Sequence, residues 1–143
     1  MTPKLESEDL MNAMLPVAKR MLREYGEFFP YGGYMKPDGE IVHVGAKKPR
    51  TDRPKSKDLI AILENSFREL ATQRKCKAVA IIYDVVAPPP NSNRQSNAIQ
   101  VCLEHVDHYS VEVFFPYRII EGEVVFEDIF AQAGKHRFFG QTT

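Results

Sequence analysis

Apolar and polar residues alternate along most of the stretch from Lys75 to Phe130, and that two-residue period predicts four consecutive β-strands. The segments are KCKAVAIIYDVVA, NAIQVCLEHV, YSVEVFFPYRII and EVVFEDIF. In the first, both faces are apolar: Val79, Ile81, Tyr83 and Val85 on one side, Ala78, Ala80, Ile82 and Val86 on the other. That is the pattern of a central strand covered above and below. The next two alternate more cleanly, with Ile99, Val101 and Leu103 facing Val111, Val113 and Phe115 on the inner side. Val106-Asp107-His108 and Glu121-Gly122 supply tight turns. The segment APPPNSNRQSN must be a loop, because three prolines cannot extend an interior strand.

The period changes in the first half of the chain. Leu10, Met14, Val17, Met21 and Tyr25 recur in steps of four and three, which predicts a helix from about Ser7 to Tyr25. Ser7 is the expected N-cap, Glu8 and Asp9 favour the first turn, and Gly26 suits the residue just past the end. Pro16 removes a backbone donor and crowds the preceding turn. It predicts either a kink or a short turn before a second helix. A further helix, capped by Ser56 and running to about Arg74, places Leu59, Ile62, Leu63, Ser66, Phe67 and Leu70 on one stripe.

Between the helices, FFPYGGYMK and EIVHVGA flank Pro37-Asp38-Gly39, a hairpin signal in which proline presets φ and glycine accepts a positive φ. Gly32-Gly33 predicts a bulge or tight packing against Tyr31 and Tyr34, ahead of the alternative that a ligand approaches the backbone there. Lys47 to Lys57 is polar, carries two prolines and predicts a loop; a frayed tail is expected from Gly134. The order is thus helix, hairpin, helix, four-strand meander. It predicts a single α+β domain over 1–143, with helices packed on one mainly antiparallel sheet. This order resembles that of profilin-like and roadblock-type domains, scaffolds that host unrelated functions.

Composition narrows the picture only a little. With 143 residues the chain is long enough to bury a core without disulfides or metals. Basic and acidic residues balance at 19 each, so no whole-protein attraction to nucleic acid or an anionic membrane is expected. Cys76 and Cys102 sit among apolar strand neighbours and read as buried, reduced thiols. No stretch approaches the roughly 20 apolar residues of a membrane span. The acidic start, MTPKLESEDLMNAML, is unlike a signal peptide, so a cytoplasmic location is expected.

Candidate chemistry rests on three residues. Asp84 interrupts the apolar strand AVAIIYDVVA, and a carboxylate there is costly to bury without partners. It reads as a functional acid, or as a strand-end residue bonded to the PPPNSN loop or to Arg94. His105 and His108 form an H-V-D-H group that could supply bases or zinc ligands, with His43 or Glu112 as distant helpers. No third ligand is evident, so no metal and no cofactor is assigned. Nucleophile elbows, phosphate loops and dinucleotide fingerprints are absent from the sequence.

Charge and aromatic residues point elsewhere. Lys47 to Lys57 holds six basic side chains and one acidic; Glu104 to Asp128 holds seven acidic against Arg118. The basic run lacks the interleaved aromatics of a single-strand binder, which makes nucleic acid an unfavoured partner. The acidic run suggests a surface that steers a basic protein. Phe28, Tyr31, Tyr34, Phe114 and Tyr117, with Glu112, are the expected binding residues. Adjacent residues of a strand face opposite ways, so helices on one face alone would leave rings exposed on the other.

The stretches EYGEFFPYGGYMKPDGEIVHVGA, AIIYDVVAPPP and FAQAGKHRFF resemble a family of small uncharacterised bacterial proteins, a likeness that implies no activity. Two readings follow. The first is a non-catalytic module that binds a protein partner or a second copy of itself, as immunity or regulatory proteins do. The second is a small hydrolase using Asp84, His105 and His108.

Overall fold

The computed structural model describes residues 2–45, 55–90 and 93–139. Helix α1 spans Pro3–Tyr25, strands β1 and β2 span Tyr31–Met35 and Ile41–Gly45, and helix α2 spans Ser56–Thr72. Then come β3 Ala78–Ala87, β4 Ser96–His105, β5 Tyr109–Ile120, β6 Glu123–Phe126 and β7 Phe130–Ala133. The strands form one sheet in the order β2-β1-β3-β4-β5-β6, and every pairing is antiparallel. The expected α+β class and meander are therefore present.

The last predicted strand, 123–130, is instead two. β6 pairs with the end of β5 at 117–120, and β7 pairs with its start at 111–114. Glu127, Asp128 and Ile129 break the edge between them, where two acidic residues have little strand preference.

The helices lie on opposite faces of the sheet, which removes the premise of a bare aromatic face. Leu10, Met14, Ala18 and Leu22 of α1 pack on Ala78, Ala80, Ile82, Ile99, Val101 and Leu103. Leu63 and Phe67 of α2 pack on Val79 and Ile81, joined by Cys76 and Phe139. β3, hydrogen-bonded on both edges and covered on both faces, is the central strand its apolar pattern predicts. The two glycines of β1 serve this double cover. A Cβ on Gly33 would fall 2.5 Å from the Met14 sulfur, and one on Gly32 would fall 2.4 Å from the Ala80 carbonyl and against the Phe67 ring.

Several predicted ends move. Thr2, not Ser7, caps α1, accepting the Leu5 N–H at 3.1 Å. Ser7 lies a turn inside the helix, fully buried, its hydroxyl without a partner. Lys55 is the N-cap of α2 and offers no side-chain bond, so Ser56 is its first helical residue. Gly26 ends α1 as expected, with φ of 74° and its N–H on the Leu22 carbonyl. The tail expected to fray from Gly134 is held: Ser110 donates to the Lys135 carbonyl, and the Glu104 carboxylate accepts the N–H groups of Arg137, Phe138 and Phe139. Most of the predicted loop 47–57 and the last residues, 140–143, lie outside the described residues.

Pro16 neither breaks α1 nor divides it. The Tyr31 hydroxyl reaches into the helix beside it, accepting the Ala18 N–H at 3.0 Å and donating to the Met14 carbonyl at 2.6 Å. An unbroken helix would join those two groups to each other. The buried row of α1 steps by four residues, from Leu10 and Met14 to Ala18 and Leu22, with Leu15 beside it. Val17, Met21 and Tyr25, which continue the first stripe in sequence, are left on the flank.

Candidate docking groove

That displaced row forms one side of an apolar groove. Val17, Met21 and Tyr25 line it with Phe28, Phe29, Pro30 and Tyr31 of the segment leading into β1, and with Glu27 and Gly45. Its volume is about 490 Å³. Tyr25 is 69% exposed and Phe29 49%, so two large rings stand in solvent at one place. Phe28 meets Tyr31 edge-on at 6.1 Å, which fixes the inner part of the groove. The Tyr31 hydroxyl is spent on α1, and burial raises its pKa, so this residue offers the groove its ring alone.

The groove ends beside the open edge of the sheet. β2 is the terminal strand on that side, and Gly45, its last residue, lies opposite Tyr31. A second groove, of about 500 Å³, flanks α1 on the other side between Met11 and β5–β7, but Lys4 and Glu8 line it as well.

The residues expected to bind divide. Phe28 and Tyr31 line the groove; the others are internal. Tyr34 packs edge-on against Phe67 at 6.2 Å, and Phe114 stacks on Phe130 at 4.7 Å. Tyr117 is buried and donates to both Asp84 oxygens, at 2.8 and 2.9 Å. Glu112 is buried, accepts from Gln132 at 2.8 Å and stands 3.9 Å from the Cys102 sulfur. The acidic run thus contributes no single surface, because Glu104 and Glu112 point inward. Tyr25, Phe29 and Pro30 are not among the expected binding residues, although the apolar row of α1 leading into Phe28-Phe29-Pro30 signals more apolar surface than one helix contact can hide.

The catalytic candidates do not meet. Ala78 pairs with His105 and Ile99 with Asp84, so the two residues share the α1 face but stand six positions apart, about 20 Å along the strands. Asp84 is held by Tyr117. Partial burial pushes its pKa up, opposed by the Tyr117 hydroxyl and the Val85 N–H. His105 has both ring nitrogens engaged: Asp107 N–H donates to Nδ1 at 3.0 Å, so Nε2 carries the proton that Glu6 accepts at 2.9 Å. Its side chain is buried and locks α1 to the end of β4. His108 occupies the following turn at φ of 63°, exposed. Among the described residues no three His, Cys, Asp or Glu side chains converge as metal ligands would. Both cysteines are free, and burial pushes the Cys76 thiol up to about 11.

Glu6 also pairs with Lys77. The Lys77 ammonium first, and His105 second, hold its carboxyl below the ordinary carboxylate value of 4.5 against the opposing effect of burial. A depressed carboxylate stabilises the fold fully above that value and loses the contribution as pH falls through its lower folded pKa. Glu6→Gln is therefore expected to cost about 1 kcal/mol at pH 7. Thermal melts should show a shallower loss of stability between about pH 5 and 3 than in the parent. Parallel melting curves over that range would contradict the assignment.

No protein-family model matches the chain, and no curated protein or solved structure is similar to it. The functional reading therefore stands on the geometry alone. No described helix is long and apolar enough to cross a membrane.

Proposed function

We propose that the protein is a non-catalytic protein-binding module, whose activity is the docking of a partner in the groove between α1 and the start of β1. One observation carries the reading: Tyr25 and Phe29 are exposed together in an apolar groove that no described segment of the chain fills. Grouped apolar exposure of this kind marks interaction sites, whereas single exposed residues do not. Large rings on a pre-formed surface are also the usual anchors of protein interfaces. A role of the immunity or regulator type fits, since such proteins act by occupying a partner. Free thiols suit a reducing compartment, which supports a cytoplasmic setting. The hydrolytic reading lacks comparable support, because Asp84, His105 and His108 lie apart and the first two are engaged internally.

The test is selection from a random displayed-peptide library on the whole protein. Selected peptides are expected to lose at least about tenfold in affinity for a Tyr25→Ser/Phe29→Ser variant, which is about 1.4 kcal/mol. They should bind an Asp84→Asn variant unchanged. Peptides indifferent to the groove substitutions, or no enrichment at all, would overturn the proposal.

A further inference from the structure

Gly45 is a glycine for which the described chain supplies no reason. The other described glycines either take a positive φ, as Gly26, Gly39 and Gly122 do, or lie too close to a neighbour to carry a Cβ, as Gly32, Gly33 and Gly134 do. Gly45 has no positive φ, and a Cβ placed on it would meet nothing within 4 Å. It shares a face with Ile41 and His43, and Ile41 packs on the α1 side of the sheet. An unfilled space therefore lies beside Gly45 on that side, at the end of the groove it lines.

The edge that carries Gly45 is open. The β1–β2 hairpin closes with the Lys36 N–H on the Glu40 carbonyl at 2.8 Å. Antiparallel pairs alternate between bonded and non-bonded positions. Counting on from that bond, Val42 and Val44 bond to β1, while the N–H and C=O groups of Ile41, His43 and Gly45 point away from the sheet. No described strand pairs with them. The strand reads IVHVG and holds neither a formal charge nor a proline, the devices by which sheet edges repel a further strand. The opposite edge has such a defence, being cut at residues 127–129 into two strands of four residues.

This edge also complements itself. With a second copy laid antiparallel about a two-fold axis at His43, Ile41 pairs with Gly45 of the second copy, His43 with His43, and Gly45 with Ile41. Each of these is a bonded pair, so every outward main-chain group of β2 finds a partner. Ile41 of the second copy then stands beside Gly45, in the space that no Cβ fills. On the α2 side, Val42 meets Val44 of the second copy and Val44 meets Val42. All four valines are only half-buried in the separate chains, and cross-strand pairs of this kind stabilise antiparallel sheets. A foreign segment would have to bring the same pattern; a second copy carries it already, in the self-matching arrangement a two-fold interface requires.

We infer that two copies of the chain join β2 to β2, antiparallel about a two-fold axis at His43, so that Ile41 of each completes the Gly45 end of the other's groove. The two α1 helices then lie on one face of a continuous sheet, and both grooves open on that face. The rest of each groove, with Tyr25 and Phe29, stays open to a partner. The inference rests on the docking reading above for the use of the groove, and it fails separately from it.

Sedimentation velocity on the full chain, from micromolar to millimolar concentration, should show a monomer–dimer equilibrium. His43→Lys sets like charges opposite one another at the axis, and Gly45→Leu fills the space that Ile41 of the second copy needs. Each should weaken the dimer at least about tenfold. Neither should lower the melting temperature of the dilute monomer, because His43 is exposed and Gly45 has no close neighbour. His43→Cys should give a disulfide-linked dimer on mild oxidation, since opposed Cα atoms of a bonded pair stand about 5.5 Å apart, within disulfide range. Glu69→Cys, on the exposed side of α2, should not. A chain that stays monomeric to millimolar concentration, or a dimer indifferent to His43→Lys and Gly45→Leu, would overturn the inference. Should library-selected peptides still depend on Tyr25 and Phe29 in that case, the docking function stands without it. A dimer that responds to both substitutions, with peptides indifferent to Tyr25 and Phe29, would keep the pairing and remove the docking function.

Discussion

Glu104→Ala is expected to free the C-terminal segment and to cost about 3–4 kcal/mol, because three backbone N–H groups lose a charged acceptor. For a chain of this length the melting temperature should fall by about 10 °C or more. Glu104 is only 2% exposed, and its two oxygens divide the work, one taking Arg137 and the other taking Phe138 and Phe139. Glutamine has the same shape, yet its amide nitrogen would face donors with a donor. Glu104→Gln should therefore be nearly as damaging as alanine. Release of the tail also uncovers the α2-side cluster that Phe139 shares with Cys76. Cys76, shielded and raised in pKa in the parent, should then react with a thiol reagent at a measurably higher rate. A Glu104→Gln protein with parental stability and an unreactive Cys76 would show that the carboxylate is not the clasp.

Tyr31→Phe is the second large effect. It removes one hydroxyl and leaves the Ala18 N–H and the Met14 carbonyl without their shared partner, at about 2 kcal/mol, or about 6–8 °C in melting temperature. The ring remains, so the groove keeps its lining. Pro16 supplies the control. With Pro16→Ala the helix regains the bond from residue 16 to residue 12 and loses the proline's crowding, so it can tighten and close the bond between residues 14 and 18, and the hydroxyl becomes redundant. In that background Tyr31→Phe should cost less than about 1 kcal/mol, a coupling that a double-mutant cycle reads directly. An identical cost in both backgrounds would mean that the hydroxyl serves some purpose unrelated to the proline.

The same pair of residues shows what the sequence could and could not reveal. Two-residue alternation from Lys75 onward announced the meander, and the doubly apolar β3 announced cover on both faces. The helix stripe was harder to read. Leu10, Met14, Val17, Met21 and Tyr25 look like one continuous row, but the buried row steps by four from Met14 to Ala18 and Leu22 and leaves Val17, Met21 and Tyr25 beside it. The hydroxyl that compensates for Pro16 comes from a residue 15 positions away that no local rule connects to it. Chain ends were misplaced for a related reason. Ser7 is a good cap by type, yet Thr2 and Pro3 begin the helix a turn earlier, and Ser7 is carried into the interior.

Site residues were legible only where local sequence makes the surface. Phe28 and Tyr31 lie on the groove because Gly26 ends α1 and returns the chain across its own flank. Phe114, Tyr117, Tyr34 and Glu112 stand out by ring or charge, yet each is covered from elsewhere in the chain: Tyr34 by Phe67 of α2, Phe114 by Phe130 of β7, Glu112 by Gln132, and Tyr117 within the α1-side core. Asp84 and His105 stood out as polar groups in apolar strands, and both turn out to answer an internal need: a buried tyrosine hydroxyl for one, the first turn of α1 for the other. A polar residue in an apolar run signals a partner, and the partner is as often within the fold as outside it.

Amide chemical-shift mapping with a library-selected peptide tests the groove between α1 and the start of β1 most directly. Perturbations are predicted at Val17, Met21, Gly45 and the segment from Tyr25 to Tyr31, with none around Asp84. Shifts confined to the second groove, near Met11 and Ile129, or clustered about Asp84 and Tyr117, would contradict the account.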